Sequence, residues 1–282
     1  MDLIDKPPFI KVINVPVTAL NFDIQIDLMT KWAKARESKG VFVANVHMLV
    51  EAYQDPAFAT IMQKADVVTP DGMPLVWMLR RLGNPSQNRV AGLDIMLSLC
   101  KRAMEEQISI FLLGSELEIL KRMQTRFQRE FPNLKIAGAE PLPFRPLTEA
   151  ENEAIAETIE RSGAGIVMVS LGCPKQETWI AMHLDKIRAV MIGLGGVFPV
   201  YAGLKKPTPR FIQNAGLEWL FRLAQDPQRL FPRYATTNPI FLYLAFKQLF
   251  IDKTSKKKRA QEINAPQNLV DRKAKRDSNY KD

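Results

Sequence analysis

The segment ISIFLLGSELEILKRMQTRFQREF, Ile108 to Phe131, carries the pattern from which the fold follows. Its opening run, ISIFLLG (108–114), is apolar on both faces, as expected of a strand covered on two sides. Gly114 closes the run, and ELEILKRMQTRFQREF continues with the periodicity of an amphipathic helix. The alternation recurs in both directions along the chain. FIKVINV (9–15), VFVANV (41–46), ADVVTP (65–70), LKIAGA (134–139), GIVMVSLG (165–172) and AVMIGLGG (189–196) read as further strands. Helical patterns such as FDIQIDLMTKWAKARES run between them.

Strands of this kind alternating with helices predict an α/β fold: a Rossmann-like, mainly parallel sheet flanked by helices. Residues 1–215 are expected to form this domain, followed by a helical appendage at 216–252 and a basic tail at 253–282. The tail holds ten Lys/Arg against four Asp/Glu, so it supplies +6 of the net +9 and leaves +3 for the rest. It has almost no apolar residues and is expected to be disordered. A solubilising tail and attraction to anionic lipid headgroups are the two readings of it. Nucleic acid is not an expected partner, because no aromatic residues interleave with the charges.

With 46% hydrophobic and 24% charged residues, the composition is that of a soluble globular protein. Cys100 and Cys173 lie far apart without metal-ligand spacing, and the N-terminal MDLIDKPPF has acids where a signal peptide would be basic. A reducing cytoplasmic compartment is expected.

In an open parallel sheet, ligands bind at the carboxyl ends of the strands. TPDG, LLGS, SLGCPKQE and GLGG all fall at such ends. Backbone N–H groups around Gly114, Gly172 and Gly195 suit phosphate oxygens there, although each glycine alone is an ordinary turn residue. No Walker A is intact, and GLGGVF lacks the third glycine of a dinucleotide fingerprint. Asp71, in VVTPDGMPLVW, is the one carboxylate of an apolar stretch. Local physics reads it as an Asx turn or the cap of the helix MPLVWMLRRL. Arg89 brings a positive charge into the loop NRVAG, as either a diphosphate or acceptor contact or a surface salt bridge. His47 is either a second acid/base or a hydrogen-bonded structural residue.

Taken in order, VANVHMLVEA, VVTPDGMPLVW, NRVAGLDIM, FLLGS, SLGCPKQETWI and GLGGVFPVYAGLKKPTPRFIQNAGLEWLFRLAQDPQRLFPRY resemble the WecG/TagA/CpsF glycosyltransferases, over roughly residues 8–250. The resemblance implies an inverting, metal-independent enzyme of cell-envelope polysaccharide assembly, with no cofactor. It would transfer N-acetylmannosamine, its uronic acid or a related hexose-type sugar from a UDP-sugar to a polyprenyl-diphosphate-linked acceptor. It implies Asp71 as the general base, and Asn45 and Gln176 as sugar or nucleotide contacts, with Glu177 either a contact or a helix-terminus acid. Two positions depart from the family pattern: Val43 stands where relatives often carry Thr, and Pro199 where they often carry Asp. Cys173 replaces a small residue and is not expected to be a nucleophile.

From Gly216 the composition shifts. Arg222, Arg229 and Arg233, spaced by seven and four, would share one face of a continuous helix, although Pro227 and Pro232 are expected to break it. The resemblance implies that these arginines close over the site, where planar guanidiniums suit a diphosphate. The apolar run from Pro239 to Ile251 is too short to span a bilayer and suits a helix lying in its interface. The expected enzyme is thus peripheral on the cytoplasmic, inner leaflet, with self-association left open. The alternatives are the same fold acting on a soluble or protein acceptor, and a non-catalytic nucleotide-binding scaffold.

Overall fold

The structure, a computed structural model, describes residues 7–143 and 145–251. The expected tail at 253–282 lies outside the described residues. The chain divides into two units, Met1–Phe241 and Leu242–Asp282.

Among the described residues eight strands are formed: β1 (Phe9–Val12), β2 (Val15–Thr18), β3 (Lys39–Ala44), β4 (Val67–Pro70), β5 (Ile110–Gly114), β6 (Ile136–Glu140), β7 (Ile166–Ser170) and β8 (Val190–Gly193). Six of them make one sheet in the order β4-β3-β8-β7-β5-β6, and every pairing is parallel. Side chains alternate between two covered faces. On one, Val41, Ile110, Leu112, Ile166, Met168, Val190 and Ile192 pack with the helices Phe22–Ala35, Gly92–Glu105 and Leu117–Glu130. On the other, helix Lys175–His183 lies against β3, β7 and β8. A Cβ on Gly40 would stand 3.3 Å from Ile180 Cγ2 and Leu184 Cδ2, so the bare backbone there sets how closely that helix approaches.

The first expected strand, FIKVINV, is corrected by the structure. It folds back at Ile13 and Asn14, with Ile13 at φ 57°, and becomes the antiparallel hairpin β1–β2 outside the main sheet. A β-branched residue in the left-handed region is disfavoured locally, which is why the turn gave no sequence signal. The hairpin has a use at the sheet edge. Val68 N–H on edge strand β4 donates to Thr18 Oγ1 at 3.0 Å, and Pro70 has no N–H to leave open.

Strands β3 and β4 lie on one side and β5 and β6 on the other, with β7 and β8 returning to fill the middle. The order in which strands are added therefore reverses across β8 and β7, while every strand runs the same way. Asn45, Asp71, Ser115, Gly172 and Gly195 all follow the carboxyl ends of their strands and meet on this edge.

Beyond the sheet come the helices Arg210–Asn214, Glu218–Gln225 and Pro227–Phe246. The break expected near Pro227 is present at Asp226, with Pro227 at the first helical position, where it forfeits no hydrogen bond. The break expected at Pro232 is absent: Pro232 and Pro239 both lie inside the last helix. Arg222 therefore sits on one helix, and Arg229 and Arg233 on the next. In the second unit Leu242, Tyr243, Phe246 and Phe250 are exposed. Among the described residues no helix is long and apolar enough to cross a membrane.

Candidate active site

Strand β4 delivers Asp71 to the edge. Its N–H donates to Ala44 O at 2.9 Å, carrying the β3–β4 pairing one residue past Pro70. The local reading of Asp71 as a cap is not what forms. Helix Met73–Leu82 is capped at Gly72 without any side-chain bond. Asp71 Oδ1 instead accepts from Gly92 N–H at 3.4 Å, reaching the first residue of a different helix.

The carboxyl is half-buried in charged company. Burial and the nearby Glu218 carboxylate raise its pKa to about 6, against the lowering pull of Arg222, Arg89 and the Gly92 amide. Desolvation disfavours the ionised form, and the two cations restore only part of what is lost. A carboxylate poised near neutrality can take a proton under physiological conditions.

Arg89 is held tightly beside it. Nη1 donates to Glu218 Oε2 at 2.7 Å, Nη2 donates to Gln213 Oε1 at 2.5 Å, and Asp94 Oδ2 lies 3.8 Å away. Arg222 Nη2 donates to the other oxygen of Glu218. Its Nη1 stands 3.8 Å from where a Cβ on Gly196 would lie, so the guanidinium faces the loop after β8. This part of the arm is anchored where Gly216, at φ 74°, sits against the Trp77 ring; a Cβ there would come within 2.6 Å of Trp77 Cη2. Arg229 is exposed and donates to Asp226 Oδ2 at 2.7 Å, an oxygen that Lys205 also reaches at 3.1 Å. Arg233 is half-buried, has no ion-pair partner among the described residues, and acts on His47 and Cys173 through its charge.

The remaining candidates have structural work. Asn45 Oδ1 accepts from Met48 N–H at 3.3 Å, capping helix Val46–Gln54. His47 is pushed down to about 4 by burial and by Arg233, so it is neutral near pH 7 and no proton donor there. Gly114, at φ 86°, turns so closely over β7 that a Cβ would stand 2.6 Å from Ser170 O.

Gln176 points inward. Its Oε1 accepts from Gly172 N–H at 3.2 Å and from Gly195 N–H at 3.1 Å, so it staples the loop after β7 to the loop after β8. Its Nε2 donates to Glu177 Oε1 at 2.8 Å. Gly195 is glycine for the same reason, since a Cβ would lie 2.6 Å from that Oε1. Glu177 has no exposed surface, and burial raises its pKa. Both side chains therefore shape the edge from behind: the Gln176 amide is engaged within the protein, whereas Glu177 Oε2 is buried without a hydrogen-bond partner among the described residues. Among the described residues no group of three His, Cys, Asp or Glu side chains is placed to hold a metal ion.

The Glycosyl transferase WecG/TagA/CpsF family profile matches residues 10–255, nearly all of the described chain. The chain belongs to that family. It is also similar to two enzymes named N-acetylglucosaminyldiphosphoundecaprenol N-acetyl-beta-D-mannosaminyltransferase. The one from Bacillus spizizenii W23 is 32% identical over 208 residues, covering 71% of this chain and 79% of the relative. The one from Bacillus subtilis 168 is 30% identical over 231 residues, covering 79% and 88%. The protein is accordingly a glycosyltransferase, and the reading as a non-catalytic scaffold is set aside.

Two residues of this WecG/TagA/CpsF glycosyltransferase escaped the sequence reading. Glu218 and Gln213 hold the arginines, yet neither belongs to a glycine turn or an arginine series. The one available signal was the spacing of Glu218 and Arg222, four apart at the start of a helix.

Proposed function

We propose that this glycosyltransferase moves a hexose-type sugar, N-acetylmannosamine, its uronic acid or a close relative, from a UDP-sugar to a polyprenyl-diphosphate-linked sugar. One observation carries the reading: a carboxylate with its pKa near 6 at the strand edge, with two guanidiniums beside it. The names of the two Bacillus relatives support the acceptor class.

In this mechanism the acceptor hydroxyl attacks the anomeric carbon from the face opposite UDP. A new carbon–oxygen bond forms, the bond from that carbon to the UDP phosphate oxygen breaks, and the configuration inverts. The hydroxyl proton passes to Asp71, and UDP leaves with the bonding electron pair. Arg222 and Arg233 hold diphosphate oxygens, with Arg229 at the exposed rim. These cations supply the positive charge that a divalent ion gives elsewhere, so we expect turnover without added metal.

The acceptor is lipid-anchored, so the enzyme works as a peripheral protein on the cytoplasmic leaflet. The exposed Leu242, Tyr243, Phe246 and Phe250 suit an interfacial helix. The test is a UDP-sugar panel assayed with a polyprenyl-diphosphate sugar and with the same sugar free in water, with and without EDTA. Transfer confined to the lipid acceptor and indifferent to EDTA is expected. Equal rates on the water-soluble sugar would favour a soluble acceptor and overturn the proposal. The full chain carrying Leu242→Ser, Phe246→Ser and Phe250→Ser should float less with anionic vesicles than the wild type; unchanged flotation would remove these residues from the membrane contact.

A further inference from the structure

Among the described residues, Glu218 is the one carboxylate that touches both arginines beside Asp71. Its Oε2 accepts from Arg89 at 2.7 Å, and its Oε1 accepts from Arg222. The two arginines come from different parts of the molecule. Arg89 precedes helix Gly92–Glu105 of the sheet domain, and Arg222 lies one turn along from Glu218 on helix Glu218–Gln225. The ion pair to Arg89 therefore fastens the arm to the sheet beside the base.

We propose that Glu218 is a positioning residue: as shared counter-charge to Arg89 and Arg222, it fixes both guanidiniums beside Asp71 while preventing them from neutralising it. The inference deepens the reading of Asp71 as the base and rests on it. Two cations beside a lone carboxylate would hold it ionised and make it a poor proton acceptor. A second carboxylate, with each oxygen occupied by one arginine, offsets that field without moving the cations away. The assignments agree with this balance: Glu218 raises the proton affinity of Asp71, whereas Arg222 and Arg89 lower it.

The other groups facing this quartet are few. The Gly92 amide donates to Asp71 itself. Asp94 lies 3.8 Å from both Arg89 and Arg210, Gln213 accepts from Arg89, and Tyr234 lies within electrostatic reach of Arg222. Among the described residues Glu218 alone of the acids bonds to both guanidiniums. Its bonds also make it the group that a bound diphosphate must compete with for Arg222.

The experiment follows Asp71 directly, by carbon-13 NMR titration of Asp-labelled full-length protein, with Asp71→Asn to assign the signal. The pH dependence of kcat is measured in parallel on the UDP-sugar and lipid-linked acceptor pair. In Glu218→Gln the Asp71 titration and the acid limb of kcat should both move down by about one pH unit, with a roughly tenfold lower plateau rate. Glu218→Asp, which keeps the charge, should restore most of the titration midpoint and guards against a Gln variant that folds poorly. An Asp71 midpoint unchanged in Glu218→Gln would overturn the proposal. A midpoint that moves while the kinetic limb stays still would leave Glu218 in its role and instead sink Asp71 as the base.

Discussion

The middle and one end of the same sheet edge treat polar side chains in opposite ways. After β7 and β8, Gln176 spends both acceptor positions on backbone N–H groups of Gly172 and Gly195 and donates an N–H hydrogen bond to Glu177. The side chains of Gln176 and Glu177 are buried there, held behind the two loops. After β4, Asp71 receives only one long bond from a backbone amide, and its charge is opposed by burial and by Glu218. The first corner ties the loops after β7 and β8 together. The second keeps an ionisable group away from its most comfortable state, which is what the proposed base requires.

Asp71→Asn breaks the contrast most severely. An amide cannot accept the proton, so kcat should fall by about a thousandfold, within the range of general base catalysis, while UDP affinity by calorimetry stays within about twofold. Full turnover by this variant would end the distinction between the two corners.

The pH profile comes next in size. As the proposed base, Asp71 must be ionised, so kcat should drop about tenfold for each pH unit below its pKa of about 6. His47 sits near 4 and should add no limb of its own near neutrality.

Removing the staple tests the quiet corner. Gln176→Ala leaves the Gly172 and Gly195 amides without their shared acceptor, which should cost about 2 kcal/mol and lower Tm by about 4–8 °C. An unchanged Tm would mean that the staple contributes nothing to holding the two loops together.

The smallest effect has the opposite sign. Asp71 binds its proton more tightly in the folded protein than its usual value of 3.8 allows, so its contribution to stability is greatest at low pH and is lost as pH rises to about 6. Asp71→Asn should therefore melt about 1–3 °C higher than wild type at pH 7.5, and the gain should shrink at pH 5. Scanning calorimetry at the two pH values measures it.

Much of this was legible in the chain. The apolar runs at 41–46, 108–114, 165–172 and 189–196 became strands because a strand buried on both faces needs nothing but apolar residues. The hairpin at Ile13 was hidden, since its turn rests on a residue type that locally resists it. Pro232 was misread for the converse reason: a local breaker was overridden inside a longer helix. Asp71 and the arginines could be named from their motifs, whereas the inward aim of Gln176 and the bridging by Glu218 could not.

The division follows from the range of the forces. Hydrophobic periodicity is written over a few neighbouring residues, so the sequence by itself determined the alternation of strands and helices and the parallel sheet that follows from it. Side-chain partners are chosen after distant segments have met. Only the tertiary structure brought residues 71, 89, 218 and 222 together, and only there did burial and opposing charges decide which carboxylate stays paired and which is left ready to take a proton.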